Sequence, residues 1–301
     1  MRPIPLKTLL NWLASALIWV SVIVGCICLW FAYDLPDIDR LILFKRRAGI
    51  TLLAKDNTLI GTYGDMHGSF IKSNQLPKHT LQAILSTEDR RFYHHFGIDV
   101  WGIIRAAYIN YKAGRVVQGG STLTQQLAKN LLMSEGLYTR QDRSMGRKVQ
   151  EILLALLLEF KLDKNQILTI YLNRIYFGGG VFGIEAAALR YFQKSAVHLN
   201  LMESATLAGL LKAPSKYSPL YHLEQAQARA NVVLQNMLEA GFITPYEKSK
   251  AIQSFNTLTR SQEKATMGRY FSDWVFEQLT DIVGDLTEDL IVYTTLDPLL
   301  Q

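Results

Sequence analysis

The sequence predicts a mainly α-helical protein with one small β-hairpin and one N-terminal transmembrane helix. Three features indicate this class: an uncharged apolar run near the N-terminus, two β-rich runs flanking Asp56 and Asn57, and apolar residues at helical spacing from about Leu76 onward. With 301 residues, the chain can bury a sizeable core in one large or two smaller domains.

The N-terminal run from Thr8 to Tyr33 carries no charged residue and exceeds the roughly 20 residues that cross a hydrocarbon core. Arg2 and Lys7 precede it and aspartates follow it, so the positive-inside rule places the N-terminus in the cytoplasm and the body outside. A cleaved signal peptide is the alternative, but the run is long for one and no clear A-x-A site precedes Asp34. We therefore predict an uncleaved single-pass anchor within residues 1–33.

The rest of the chain divides into three predicted parts. Residues 34–75 form a juxtamembrane link and a hairpin from Ile50 to Gly64, and residues 76–250 form the main helical domain. Residues 251–301 form a C-terminal linker that returns to β-branched composition near its end. The predicted helices of the main domain lie within residues 81–96, 100–114, 119–133, 147–162, 164–177, 183–192, 200–211 and 223–241. In the third of these segments, Gly119 and Gly120 precede a Ser/Thr N-cap candidate, after which the helix begins.

Two of these segments carry further expectations. The run from Arg147 to Leu162 is apolar almost all round after its first turn, which predicts a buried helix. Gly178 to Gly183 matches G-x-G-x-x-G, but a helical pattern rather than a strand precedes it and no βαβ alternation surrounds it. We interpret this segment as a glycine-rich turn between helices.

The net charge and the positions of cysteine and histidine indicate which partners and metal sites the sequence favours. The net charge of +6 favours anionic partners such as phosphates or membrane headgroups. Both cysteines, Cys26 and Cys28, lie in the apolar run, which leaves none for a zinc site in the body. His94 and His95 are adjacent and would point about 100° apart on a helix. The sequence therefore predicts no dedicated metal site.

The segment from Ser86 to Asp99 concentrates acidic, basic and histidine side chains that could take part in catalysis. Glu88 and Asp89 lie in it, and Glu151 is a second acidic candidate within reach of many cationic residues. A carboxylate base beside lysines and arginines suits displacement of a phosphate-type leaving group by a hydroxyl, because the base takes the proton and the cations neutralise the departing oxygens. Solvated helix faces with i, i+3 and i, i+4 ion pairs remain the alternative.

Several blocks in order resemble the peptidoglycan glycosyltransferases (glycosyltransferase family 51) of class A penicillin-binding proteins and monofunctional transglycosylases. EDRRFYHHFG is similar to the family's E-D-x-x-F-x-x-H-x-G, and GGSTLTQQLAK to G-x-S-T-x-x-Q-Q-x-x-K. RKVQE fits R-K-x-x-E, and KNQILTIYLN fits K-x-x-I-L-x-x-Y-L-N. The resemblance covers about Leu76 to Ile243 and implies a lysozyme-like helical glycosyltransferase domain. VYTTLDPLLQ resembles the start of the transpeptidase domain of bifunctional members, which the sequence does not contain.

The resemblance also implies roles for individual residues. Glu88 would be the general base that deprotonates the 4-hydroxyl of the acceptor sugar, and Glu151 a second catalytic carboxylate that orients substrates or a cation. Lys129 and Arg143 would bind the leaving pyrophosphate, with Arg140 as the alternative to Arg143. The other implied substrate-binding residues, which line or shape the cleft, are Asp89, Arg91, Ser121, Thr122, Gln125, Gln126, Arg147 and Lys148. His95 would be a structural support.

The implied reaction polymerises lipid II into β-1,4 glycan strands with inversion and release of polyprenyl pyrophosphate. The expected partners are lipid II, the growing glycan strand and inner-membrane lipids, with other cell-wall synthesis proteins left open and no nucleic acid. No cofactor is expected to be required, and a divalent cation (Mg²⁺ or Mn²⁺) at the pyrophosphate is left open. A lysozyme-like hydrolase and an inactive scaffold remnant of a bifunctional protein are the alternative functions.

Overall fold

The computed structural model describes the helical body and several flanking segments. It covers residues 6–33, 35–36, 38, 49–56, 59–64, 66–67, 69–116, 119–138, 142, 144–178, 181–220, 222–262, 275 and 290–297. Side chains are described for all of these except residues 6, 9, 10, 13, 24, 27, 28, 32, 49, 51, 59–64, 66–67 and 256–262.

Helices dominate this part of the chain, as the sequence predicts. In chain order they are α1 (Leu6–Tyr33), α2 (Lys78–Glu88), α3 (Val100–Ala113), α4 (Leu123–Ser134), α5 (Met145–Lys161), α6 (Lys164–Arg174), α7 (Ile184–Phe192), α8 (Leu201–Leu210), α9 (Leu223–Glu239) and α10 (Pro245–Gln262). Short 3₁₀ turns occur at Ser73–Gln75, Phe92–His94 and Ala196–His198.

The segment predicted as an anchor is the single long helix α1. Its described apolar side chains are largely exposed, Trp12 by 73% and Trp30 by 76%. The end of α1 meets the start of α5, where Gln150 Nε2 donates to the carbonyl of Phe31 at 3.4 Å. Among the residues that the structure describes, no helix is both long and apolar enough to cross a membrane.

The core of the helical body is built around α8. Every residue from Met202 to Leu210 is buried, and α8 packs against α2 and α9. A capping box starts the helix: Asn200 Oδ1 accepts from the Glu203 amide at 2.9 Å, and Glu203 Oε2 accepts from the Asn200 amide at 2.8 Å. On the other side of the body α4 packs against α5 and α6. This arrangement brings the end of α2 close to the start of α4.

Two small sheets flank the helices. The first has the order β2–β1–β6 and contains β1 (Gly49–Leu53), β2 (Leu59–Gly64) and β6 (Leu290–Tyr293). β1 and β2 are antiparallel, with Gly49 opposite Gly64, which confirms the predicted hairpin. β6 pairs with β1 in parallel, so the end of the chain returns to the hairpin. The predicted domain boundaries stay predictions.

The second sheet corrects the interpretation of Gly178 to Gly183 as a plain turn. β4 (Tyr176–Gly178) and β5 (Val181–Phe182) pair antiparallel, and β5 also pairs in parallel with β3 (Met66–His67). Gly183 has φ +84°, and a Cβ there would lie 2.8 Å from the carbonyl oxygen of Asn173. The positive φ and the close approach of the Asn173 backbone therefore explain the glycine at position 183.

Two helix predictions also need correction. The helix predicted for residues 81–96 ends at Glu88, because Asp89 leaves helical geometry with φ −157°. The helix predicted to be fully buried is α5, whose inner face includes Leu154 and Leu158 with no exposed surface. Its outer face is open, since Phe160 is 83% exposed. Continuous apolar composition thus did not mean burial on all sides.

Candidate active site

A cavity of about 840 Å³ lies where the end of α2, the start of α4, one side of α3 and the α8–α9 region meet. Its wall combines carboxylates, amides and cations. The lining residues are Ser86, Thr87, Glu88, Asp89, Arg90, Asp99, Gly102, Arg105, Ile109, Gly119, Gly120, Ser121, Thr122, Gln126, Lys129, Asn130, Ile175, Leu211, Lys212, Arg229, Asn236 and Glu239.

Glu88 is the last residue of α2, and its carboxylate is half-buried in the cavity wall. Gln126 Nε2 on α4 donates to Glu88 Oε2 at 2.7 Å. Burial raises the pKa of Glu88, while the Gln126 hydrogen bond and the charges of Arg229 and Lys212 oppose this shift. Among the described residues, Glu88 has no ion-pair partner within 4 Å. Because its pKa is raised, Glu88 holds a proton more readily than an exposed glutamate does.

Asp89, next to Glu88, links two parts of the site through hydrogen bonds. Its carboxylate accepts from His95 Nε2 at 3.0 and 3.1 Å and from the Leu123 amide at 2.9 Å. Leu123 is the first residue of α4, so Asp89 places negative charge at a helix N-terminus. Asp89 and His95 are both buried in this contact. They tie the end of α2 to the start of α4, which agrees with the structural role expected of His95.

The start of α4 is fixed by Thr122. Its Oγ1 accepts from the Gln125 amide at 3.2 Å as an N-cap and donates to the carbonyl of Gly97 at 2.6 Å. With this start fixed, Gln126 and Lys129 lie three residues apart on the face of α4 that lines the cavity.

A second charged cluster lies around Glu151 on α5. Glu151 is 2% exposed; its Oε2 accepts from Lys148 Nζ at 3.0 Å, and its Oε1 lies 3.1 Å from Arg147 Nε. Lys148 Nζ also donates to Ser121 Oγ at 3.1 Å and to Gln125 Oε1 at 3.3 Å. Arg147 further donates to the carbonyl of Asp142. Ser121 lines the cavity, so this cluster touches the cavity wall through Lys148.

The structure thus divides the residues predicted from the sequence into two groups. Six line the cavity: Glu88, Asp89, Ser121, Thr122, Gln126 and Lys129. Four lie in or against the Glu151 cluster and do not line the cavity: Gln125, Arg147, Lys148 and Glu151. Arg91 lies 3.8 Å from Asp99, which lines the cavity. Arg143 and its alternative Arg140 lie outside the described residues. The roles of all these residues stay predictions.

The cations of the α8–α9 region were not predicted from the sequence. Lys212 follows α8 and Arg229 lies on α9; both line the cavity and act electrostatically on Glu88. Lys212 falls within LAGLLKAPSKYSP, a block that resembles the family, so a signal for it existed. Arg229 gave none, because it is one basic residue on an ordinary amphipathic helix.

The described residues contain no group of three or more histidine, cysteine, aspartate or glutamate side chains placed to hold a metal ion. Both carboxylate oxygens of Glu151 already face cations. A resident divalent cation on Glu151 does not fit this donor set.

Comparison with protein families assigns the chain to a class. The family model described as Transglycosylase matches residues 56–238, which is more than half of the chain and includes the whole cavity except Glu239. The chain belongs to this transglycosylase family, as the sequence blocks predicted.

Curated relatives of the chain are penicillin-binding proteins. Penicillin-binding protein 1A of Aquifex aeolicus (strain VF5) is 45% identical over 241 residues, covering 79% of this chain and 32% of that protein. Penicillin-binding protein 1A of Neisseria flavescens is 38% identical over 268 residues, covering 87% and 33%. The chain therefore spans about a third of the length of the curated relatives it matches.

Among solved structures, the crystal structure of penicillin-binding protein 1A from Haemophilus influenzae aligns with a TM-score of 0.44 and 21% identity. The alignment covers 82% of this chain and 27% of that one.

Proposed function

We propose that this chain is a membrane-anchored peptidoglycan glycosyltransferase that polymerises lipid II into β-1,4 glycan strands. Membership of the transglycosylase family supports the reaction class. The observation that carries the proposal is the composition of one cavity. It holds a carboxylate whose pKa is raised by burial, Glu88, together with Lys129, Lys212 and Arg229. A base and a set of cations for a phosphate-type leaving group therefore share one site.

In the proposed reaction, Glu88 accepts the proton of the acceptor 4-hydroxyl as that oxygen attacks the anomeric carbon of the donor. The bond from the anomeric carbon to the pyrophosphate oxygen breaks, and polyprenyl pyrophosphate leaves with the electron pair. Displacement in one step inverts the anomeric carbon, so an α-linked donor gives a β-1,4 bond. Lys129 neutralises charge on the departing oxygens. The cluster of Arg147, Lys148 and Glu151 supports Ser121 and Gln125 at the start of α4.

Detergent-solubilised protein incubated with lipid II tests the function. We expect glycan polymer and free polyprenyl pyrophosphate. Purified cell wall incubated with the same protein is the companion assay, because a lysozyme-like hydrolase would release soluble fragments from it. Fragment release without polymer from lipid II would overturn the proposal, and absence of both activities would favour the scaffold alternative.

We further propose that α1 anchors the chain in the inner membrane, with the N-terminus in the cytoplasm and the catalytic domain outside. The support is the uncharged run from Thr8 to Tyr33 and its flanking charges. An anchor would hold the cavity near a lipid-linked substrate and raise its effective concentration. Alkaline carbonate extraction of expressing cells should leave the chain in the membrane fraction and release a variant lacking residues 1–33. Release of the intact chain would contradict the anchor.

A further inference from the structure

Tyr171, on α6, lies directly behind the proposed base. Its side chain is fully buried, and its hydroxyl donates to Gln126 Oε1 at 3.1 Å. Gln126 Nε2 in turn donates to Glu88 Oε2 at 2.7 Å. Three helices thus contribute one residue each to a single chain of hydrogen bonds that ends on Glu88. Tyr171 belongs to the block KNQILTIYLN, to which the sequence analysis gave no role.

An amide side chain can present either its oxygen or its NH₂ group to a neighbour, and only the NH₂ group can donate to an ionised carboxylate. What lies on the far side of the amide therefore decides its orientation. Burial, and then the charges of Glu88 and Asp89, raise the pKa of Tyr171 well above its ordinary value. The hydroxyl consequently keeps its proton throughout the working pH range and offers Gln126 a donor, which the amide oxygen accepts.

We propose that Tyr171 is a positioning residue for glycosyl transfer: it holds the Gln126 amide with its NH₂ group toward Glu88 and so keeps Glu88 ready to accept the proton of the attacking hydroxyl. This inference rests on the proposed function. Without the Tyr171 hydroxyl, the amide is free to rotate by 180° and present its oxygen to Glu88. Two oxygens facing each other disfavour an ionised carboxylate, and Glu88 would then hold its proton more tightly.

The test is the pH dependence of lipid II polymerisation by Tyr171→Phe. We expect the acidic limb of the profile to move up by about one pH unit, the size expected when a hydrogen bond to a charged group is lost. Activity should be about tenfold lower on that limb and approach that of wild type at higher pH. A purely structural defect would lower activity at every pH by the same factor.

The charged groups that also face Glu88 are unchanged in this variant. Three charged residues act on Glu88: Arg229 of α9, Lys212 after α8, and Asp89, which follows Glu88 in the sequence. Two further cations line the same cavity, Lys129 of α4 and Arg105 of α3. A shift of the limb in Tyr171→Phe therefore reports the amide rather than a lost charge.

Tyr191→Phe is the matched control. Tyr191 is also buried, and its hydroxyl donates to the carbonyl of Phe177 at 3.0 Å, but it does not line the cavity. Both variants should show small and similar decreases in melting temperature, because each loses one buried hydroxyl bond. Only Tyr171→Phe should shift the pH limb.

The effect should also vanish when Gln126 is already changed. In a Gln126→Ala background, adding Tyr171→Phe should not move the limb further, since the two residues act in series. An unshifted limb in Tyr171→Phe, or an equal further shift without Gln126, would overturn the inference while wild-type polymerisation stands. Failure of wild type itself to polymerise lipid II would instead overturn the proposed function.

Discussion

The two carboxylates predicted from the sequence to be catalytic, Glu88 and Glu151, occupy different electrostatic settings. Glu88 lines the cavity, accepts one hydrogen bond from an amide, and has its pKa raised by burial. Glu151 is almost fully buried and does not line the cavity, and each of its oxygens faces a cation, Arg147 or Lys148. Glu88, in a partly desolvated wall with a raised pKa, is the carboxylate placed to take up a proton, whereas Glu151 is engaged by two cationic side chains.

Proton transfer and the positioning of other side chains are therefore assigned to different carboxylates of the site. A general base has to be ionised before the reaction and protonated after it, which suits Glu88. Glu151 instead organises Lys148, and through it Ser121 and Gln125 near the start of α4. We therefore expect Glu88 variants to lose turnover and Glu151 variants to lose stability and substrate affinity.

The largest effect is expected from Glu88→Gln. The amide keeps the size of the side chain but cannot accept the proton, so the rate of polymerisation should fall by about three orders of magnitude. The melting temperature should be equal to or higher than that of wild type, because the buried carboxyl that resists ionisation is gone. Initial rates with lipid II check the expected fall in activity, and a thermal melt checks the expected melting temperature. Residual polymerisation above one tenth of wild type would remove Glu88 from the role of base.

Glu151→Gln should act mainly on stability. Arg147 and Lys148 lose their carboxylate partner, and we expect a loss of about 2 kcal/mol, reduced from fully buried cases because Lys148 is partly exposed. The KM for lipid II should rise more than kcat falls. Denaturant unfolding and steady-state kinetics measure these quantities. A fall in kcat matching that of Glu88→Gln, with unchanged stability, would break the comparison and make Glu151 a chemical participant.

Glu203→Gln is the control for that variant. Glu203 on α8 is equally buried and pairs with Lys194 at 2.7 Å, but neither residue lines the cavity. Its loss should lower stability by a similar amount without changing the KM for lipid II. A similar rise in KM would mean that general destabilisation, rather than the Glu151 cluster, explains the kinetic effect.

Arg229→Gln should move the pH profile. Glu88 works only when ionised, and burial raises its pKa, so polymerisation falls as the pH drops through that pKa. The charge of Arg229 lowers the same pKa, and its removal raises it further. The acidic limb should therefore shift to higher pH by about half a unit. Arg105→Gln, which alters another cation of the cavity, should weaken substrate binding without this shift. Equal shifts in both variants would indicate a general charge effect.

The residues of this site were predictable to different degrees from the sequence. Glu88, Gln126 and Lys129 lie within short blocks whose order resembles the family, and Thr122 was visible as a Ser/Thr helix start. The end of α2 at Glu88 was not predictable, because it depends on Asp89 binding the Leu123 amide and His95 through tertiary contacts.

The other features that could not be predicted from the sequence depend on packing between distant parts of the chain. Lys212 and Arg229 reach the cavity only because α8 and α9 pack against α2. The strand β5 pairs with its neighbour β4 and also with β3, which lies more than a hundred residues earlier in the chain. Local periodicity carries no information on such pairings, so the sequence could predict the hairpin from Ile50 to Gly64 but not this second sheet.

The smallest effect is expected from removal of divalent cations. Both oxygens of Glu151 face cationic side chains, and the described residues offer no cluster of metal ligands. Lys129, Lys212 and Arg229 already supply positive charge in the cavity. Addition of EDTA should therefore lower the polymerisation rate by less than about threefold, the change that a half-unit shift of the pH limb produces, since cationic side chains can neutralise pyrophosphate oxygens without a metal. Mg²⁺ or Mn²⁺ should restore the difference. Complete loss of polymerisation with EDTA and full recovery with added metal would show that a metal ion, rather than these side chains, neutralises the leaving pyrophosphate.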